Sequence, residues 1–125
     1  MTTPGQDFYN RQIAALETQN LEKIMAQYTE TARIVGFDFQ VQGTEAIRIH
    51  FTHYLENLGS LKLKSTEKFA ESADSIFFEA TVTVAAGEAR VYDVFILEGD
   101  KASHHFTGML GFTPHPAPES ASVSG

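Results

Sequence analysis

The sequence predicts an α+β domain, with helices in its first half and an antiparallel sheet in its second. Two patterns carry that expectation. Apolar residues recur at helical spacing between Tyr9 and Leu58, around one short β-like stretch. From Leu61 onward they alternate with polar residues in runs separated by tight turns. A third observation bounds the size: 125 residues suit one domain that buries roughly two-thirds of its unfolded surface.

The first helix opens near Pro4, whose missing N–H costs nothing in a first turn, and its stripe is Tyr9, Ile13 and Leu16. Asn20 is the expected N-cap of a short second helix, because its side-chain oxygen can accept from the free amides of the next turn. Leu21, Ile24, Met25 and Tyr28 form that helix's apolar face. Thr31 to Val41 reads as β structure, broken at Gly36, with a hairpin or bulge near Asp38. Thr44 is the expected N-cap of a third helix, which buries Ile47, Phe51, Tyr54, Leu55 and Leu58 and ends at Gly59. Strands follow from Leu61 toward Phe69, from Ile76 to Val84, from Ala89 to Leu97 and from Ala102 to Phe112. The turns between the last three fall at Ala86-Gly87 and Glu98-Gly99-Asp100. Residues 1–113 are expected to form a single domain, and 114–125, rich in Pro, Ala and Ser, a flexible tail that cannot bury enough surface to order itself.

Composition excludes several functions. Nine Lys and Arg against 16 Asp and Glu give a net charge of -7, the wrong sign for binding nucleic acid or an anionic membrane surface. No apolar run approaches the roughly 20 residues that span a bilayer. The opening MTTPGQDFYN lacks the cationic and apolar segments of a secretory signal, so a soluble cytoplasmic protein is expected. With no cysteine there is no disulfide scaffold, thiolate nucleophile or Cys-based zinc site. No nucleophile elbow, phosphate-cradling glycine loop or dinucleotide fingerprint occurs, and no cofactor is expected.

An antiparallel sheet normally shows water one polar face, yet Val91 to Leu97 is apolar at both parities. That strand is expected to be covered twice: by helices and a pocket on one face, and by a second copy of the chain, as a homodimer, on the other. Asp93 is the only charge in the stretch. Burial disfavours its charged form, so it must find a partner or hold its proton, and either state is useful in a pocket. The competing structural role is a buried carboxylate bonded to Tyr, His or Arg on a neighbouring strand. His104 and His105 are adjacent on the last strand, so one of them faces the interior; spacing leaves open which. An inward histidine near Asp93 would form an acid–base pair suited to neutral pH.

Other candidates are softer. Gln12 borders the first helical stripe, within reach of a pocket. Tyr9, Tyr28 and Tyr54 lie on apolar faces, where each buries a ring and needs one hydroxyl partner. Phe37, Phe39, Phe51, Phe69, Phe78 and Phe95 serve a core and could also line a lipophilic cavity for a small ligand. His50 and His53 have i, i+3 spacing, but His53 points away from the apolar stripe and no third ligand is near, so no metal site is expected.

The runs Arg11-Gln12-Ile13-Ala14-Ala15-Leu16, Asn20 to Tyr28, Ala32-Arg33-Ile34-Val35 and Gly43-Thr44-Glu45-Ala46-Ile47 resemble the nuclear transport factor 2-like superfamily. Its enzymatic branches include SnoaL-like polyketide cyclases and ketosteroid isomerase. The resemblance covers roughly residues 6 to 112. It implies a cone-shaped, curved antiparallel sheet wrapped around three helices, an apolar pocket between them and dimerisation through the sheet. Laid on ketosteroid isomerase, the oxyanion-hole tyrosine falls on Gln12 and the general base on Gly36, with Asp38 two residues on. The second acid falls on Asp93. Two of three positions depart, and Asp38 regains the base role only if a bulge re-aims it. The alignment favours His105 and Thr107 as pocket-facing, and the SnoaL-like branch implies an Asp/His pair, here Asp93 as acid or hydrogen-bond donor and His105 (or His104) as proton acceptor. The chemistry implied is cofactor-free isomerisation, cyclisation or hydrolysis; a non-catalytic binding or dimerisation module is the alternative.

Overall fold

The computed structural model describes residues 1–116. Helix α1 spans Pro4–Glu17, and Thr3 caps it, its hydroxyl oxygen accepting from the Gln6 amide at 3.1 Å. The buried face of α1 is centred a residue earlier than the stripe suggests: Phe8, Tyr9, Gln12 and Ala15 are buried, while Ile13 and Leu16 are half-buried. Helix α2, Leu21–Met25, has the expected cap, with Asn20 Oδ1 accepting from the Lys23 amide at 3.1 Å. Tyr28 is not part of it. A turn at Ala26 and Gln27 ends the helix, and Tyr28 opens strand β1, Tyr28–Val35.

A hairpin follows, closed by the Gly36 amide on the Phe39 carbonyl at 2.9 Å, and leads to the short strand β2, Gln40–Gln42. Helix α3 spans Thr44–Leu58. Its N-cap is Gly43 rather than Thr44. Gly43 has φ 90° and ψ 160°, a conformation open to glycine alone, and Thr44 becomes the first helical residue. Strands β3 (Leu61–Ser72), β4 (Ser75–Val84), β5 (Gly87–Glu98) and β6 (Lys101–Pro114) form a meander. Every second residue of β4 from Ile76 to Val84 is buried, as the alternation predicts.

The six strands form one sheet in the order β2-β1-β6-β5-β4-β3. All pairs are antiparallel except β1 with β6. This parallel pair departs from the expected all-antiparallel sheet. Both strands leave from the α2 end of the molecule, where the Ala102 amide donates to the Gln27 carbonyl at 2.7 Å, so they run the same way. Register shifts in β1, β3 and β6 bend the sheet. The helices fill its inner face, and Phe8, Ile24, Ile34, Ile47, Ile76 and Phe95 are almost completely buried there. The outer face carries a row one residue out of phase with that core, Val35, Phe106, Val94 and Phe77, aligned across β1, β6, β5 and β4. Among the described residues, no helix is long and apolar enough to cross a membrane. The strand runs past the expected boundary, since Pro114 ends β6 and the His115 amide donates to the Ala86 carbonyl at 3.0 Å. The rest of the expected tail, residues 117–125, lies outside the described residues.

Candidate active site

Strands β5 and β6 build the polar centre. Phe95 pairs with His105 and Asp93 with Thr107, so Asp93 and His105 are diagonal neighbours on the inner face. The imidazole of His105 stacks on Phe95, with centroids 3.9 Å apart and planes 20° from parallel. That stacking leaves its edges free to bond. Nε2 lies 2.6 Å from Asp93 Oδ1, and Nδ1 lies 3.0 Å from the Tyr28 hydroxyl. His105 is buried and His104 exposed, which settles the parity that spacing left open.

Both ring nitrogens of His105 are engaged, so Asp93 rather than His105 has lone pairs free for a ligand. Tyr28 stands behind the pair rather than in the cavity wall, and Gln12 Nε2 donates to its hydroxyl at 3.3 Å. Gln27, also buried, donates through Nε2 to the Phe8 carbonyl at 3.1 Å and to Gln12 Oε1 at 3.4 Å. Arg11 Nε, at the surface, donates to Gln27 Oε1 at 3.0 Å.

A cavity of about 80 Å³ opens over Asp93 and His105. Gln12 of α1 forms part of its wall, as do Phe51 and Tyr54 of α3. Phe95 and Thr107 line it too, so Asp93, His105, Gln12, Phe51, Tyr54, Phe95 and Thr107 of the expected candidates meet in one space. Tyr28 and Asp38 do not. Asp38 lies exposed in the β1–β2 hairpin and lines only an outer groove of about 440 Å³. No bulge re-aims it, because the two-residue tip leaves its carboxylate in water, where a charge is cheapest. His50, Tyr54, Val82, Val91 and Thr107 belong to the walls of both spaces.

Electrostatics sharpen this site. Burial pushes the Tyr54 hydroxyl up to about 12, and the charge on Asp93 adds to the effect. Burial likewise raises Tyr28 well above the ordinary tyrosine range, so both remain phenols at neutral pH. His50 is lowered by burial, with His105 and His53 adding to the shift, and is held neutral. It stacks between Phe39 and Tyr54, at centroid distances of 5.0 and 6.1 Å. His50, which the sequence suggests is an exposed or half-buried helix residue, is half-buried, but its place in the wall was missed. Its signal was a position bordering the α3 stripe, one residue before Phe51. Gln27 and Arg11 were missed entirely; a glutamine between Ile24 and Tyr28 was the available hint. Among the described residues, no three His, Cys, Asp or Glu side chains group closely enough to hold a metal ion.

A family model for the SnoaL-like domain matches residues 9–105. No curated protein matches the chain. Among solved structures, a nuclear transport factor 2-like protein from Anabaena variabilis superposes with a TM-score of 0.73 at 18% identity, over 88% of this chain and 87% of that one. A SnoaL-like protein from Burkholderia thailandensis gives 0.75 at 16% identity, over 89% and 99%. TerC, co-crystallised with polyporic acid, gives 0.72 at 15% identity, over 84% and 90%. The match over most of its length makes this chain a member of the SnoaL-like domain family, with the nuclear transport factor 2-like fold.

Proposed function

We propose that this protein moves a proton on a small lipophilic, carbonyl-bearing compound without a cofactor, with Asp93 as the acid–base group. The observation that carries the reading is one carboxylate, bonded to one histidine, at the floor of a cavity whose other walls are mostly apolar. In such a site Asp93 has lone pairs free to take a proton from a carbon or oxygen acid and return it elsewhere on the same molecule. His105 holds the carboxylate in place by a charge-assisted hydrogen bond. The aromatic walls exclude water, which strengthens every electrostatic interaction inside. The same fold in TerC was co-crystallised with polyporic acid, which supports a small-molecule site here.

The test is a panel of enolisable lipophilic ketones and quinones, followed by solvent deuterium incorporation. Asp93→Asn should lower exchange by about 10²–10⁴-fold, the usual worth of a positioned acid–base group, while ligand-induced thermal stabilisation persists. His105→Gln should fall between Asp93→Asn and the wild type. Unchanged exchange in Asp93→Asn would refute the assignment. A second reading, a non-catalytic binding module, is favoured by Gln12 and Gly36 at the positions matching ketosteroid isomerase's tyrosine and base. Thermal stabilisation across the panel without exchange on any member would establish it. We also propose a homodimer through the outer sheet face, where Val35, Phe106, Val94 and Phe77 form a continuous apolar row.

A further inference from the structure

From the cavity floor to the surface runs a single file of hydrogen bonds whose direction is fixed at its outer end. An arginine only donates. Arg11 Nε meets Gln27 Oε1 at 3.0 Å, so the other end of that amide is its NH₂. The Phe8 carbonyl, which only accepts, confirms the orientation from the opposite side, 3.1 Å from Gln27 Nε2. Gln27 Nε2 also faces Gln12 at 3.4 Å, so Gln12 turns its oxygen to Gln27 and its NH₂ to the Tyr28 oxygen at 3.3 Å. Tyr28 has one proton. With its oxygen accepting from Gln12, that proton goes to His105 Nδ1 at 3.0 Å.

We infer that Arg11, Gln27, Gln12 and Tyr28 are positioning residues that hold His105 as the neutral tautomer protonated on Nε2. Nδ1 is occupied by an incoming proton and cannot carry its own. The ring's only N–H therefore points at Asp93 Oδ1, 2.6 Å away. Two consequences follow. The pair is a neutral imidazole with a carboxylate, not an imidazolium ion pair, and Oδ2, which takes no hydrogen bond from His105, is the oxygen through which Asp93 exchanges protons with a ligand. The second consequence rests on the proposed role of Asp93; the tautomer does not. Burial of Tyr28 keeps its phenol proton in place, so the file does not lose a member near neutral pH.

The file predicts how to reverse it. In Gln12→Glu with its carboxyl ionised, the group can still accept from Gln27 but has no hydrogen for Tyr28. Tyr28 then donates toward residue 12, and His105 Nδ1 must become a donor to the Tyr28 oxygen. Gln12→Met is similar in size and removes the bond without reversing it, so Tyr28 still donates to Nδ1. Nitrogen-15 NMR of His105 in the ligand-free protein at neutral pH reads the difference directly. The expected result is an unprotonated Nδ1 in wild type and Gln12→Met, and a Nδ1 signal shifted into the protonated range in Gln12→Glu. An imidazolium or a Nδ1–H tautomer in the wild type would overturn the inference, and so would a folded Gln12→Glu protein whose new carboxyl carbon-13 NMR shows to be ionised with Nδ1 still bare. If Gln12→Glu fails to fold, the wild-type spectrum decides alone. Turnover plays no part in this readout, so failure of the proposed activity and failure of the relay are separate results.

Discussion

At the residue scale, the side chains around the cavity carry opposite acid–base biases, and each sets a pH limit on the fold. Half-buried His50 is depressed below its ordinary value of 6.5, so as the pH falls through that value the unfolded chain takes up the proton first. Its contribution to stability drops between 6.5 and the lower folded value, then levels off. Urea unfolding of His50→Gln should therefore show a shallower loss of stability below pH 6.5 than wild type. Tyr54 has the opposite sign. Its folded value of about 12 lies above the ordinary 10, so its stabilisation is complete below 10 and lost as the pH rises toward 12. Replacing Tyr54 with Phe should reduce that alkaline loss, with tyrosinate absorbance reporting the titration. Phe95, almost wholly buried beneath the imidazole, makes a different demand: Phe95→Ala should cost about 3–5 kcal/mol in chemical denaturation. Asp93 was legible at this scale because a lone carboxylate stands out in Val91 to Leu97. Gln12 and Gln27 were not, because a polar residue beside an apolar stripe reads as its edge until its buried partners are seen.

Elements were legible where a local signal marks them and illegible where the signal comes from across the molecule. The Asn20 cap, the Gly59 stop and the alternation of β4 are local and emerged as expected. Tyr28 shows the limit: i, i+4 from Ile24 continues a helical stripe, but a turn intervenes and its backbone joins the sheet beside β6. The start of α3 shows another. Threonine is a good cap by its side chain, yet glycine takes the place because the chain must turn through positive φ. A Cβ at Gly43 would meet nothing closer than the Glu30 carbonyl at 3.9 Å, so the cost of Gly43→Ala is conformational rather than steric. It should be about 1–3 kcal/mol, read as a lower urea midpoint with an unchanged slope.

For the whole molecule, helices-then-meander sufficed to predict the class, but not the closure of the sheet by a parallel pair between strands far apart in sequence. Alternation tells a strand which of its residues face inward and is silent on its neighbour. The unusual apolar content of both faces of β5 was legible. Inward, it builds the cavity; outward, Val94 joins Phe106 in a row across the sheet. Phe106→Lys alters only a partly exposed side chain, so the fold should survive it. Sedimentation should then show a dimer for wild type and a monomer for the variant, and a wild-type monomer at micromolar concentration would refute the proposed assembly. The walls common to the inner cavity and the outer groove have one more consequence. Val91 and Thr107 face the inner cavity of about 80 Å³ and the outer groove of about 440 Å³ alike, so one substitution at either position reshapes both spaces together.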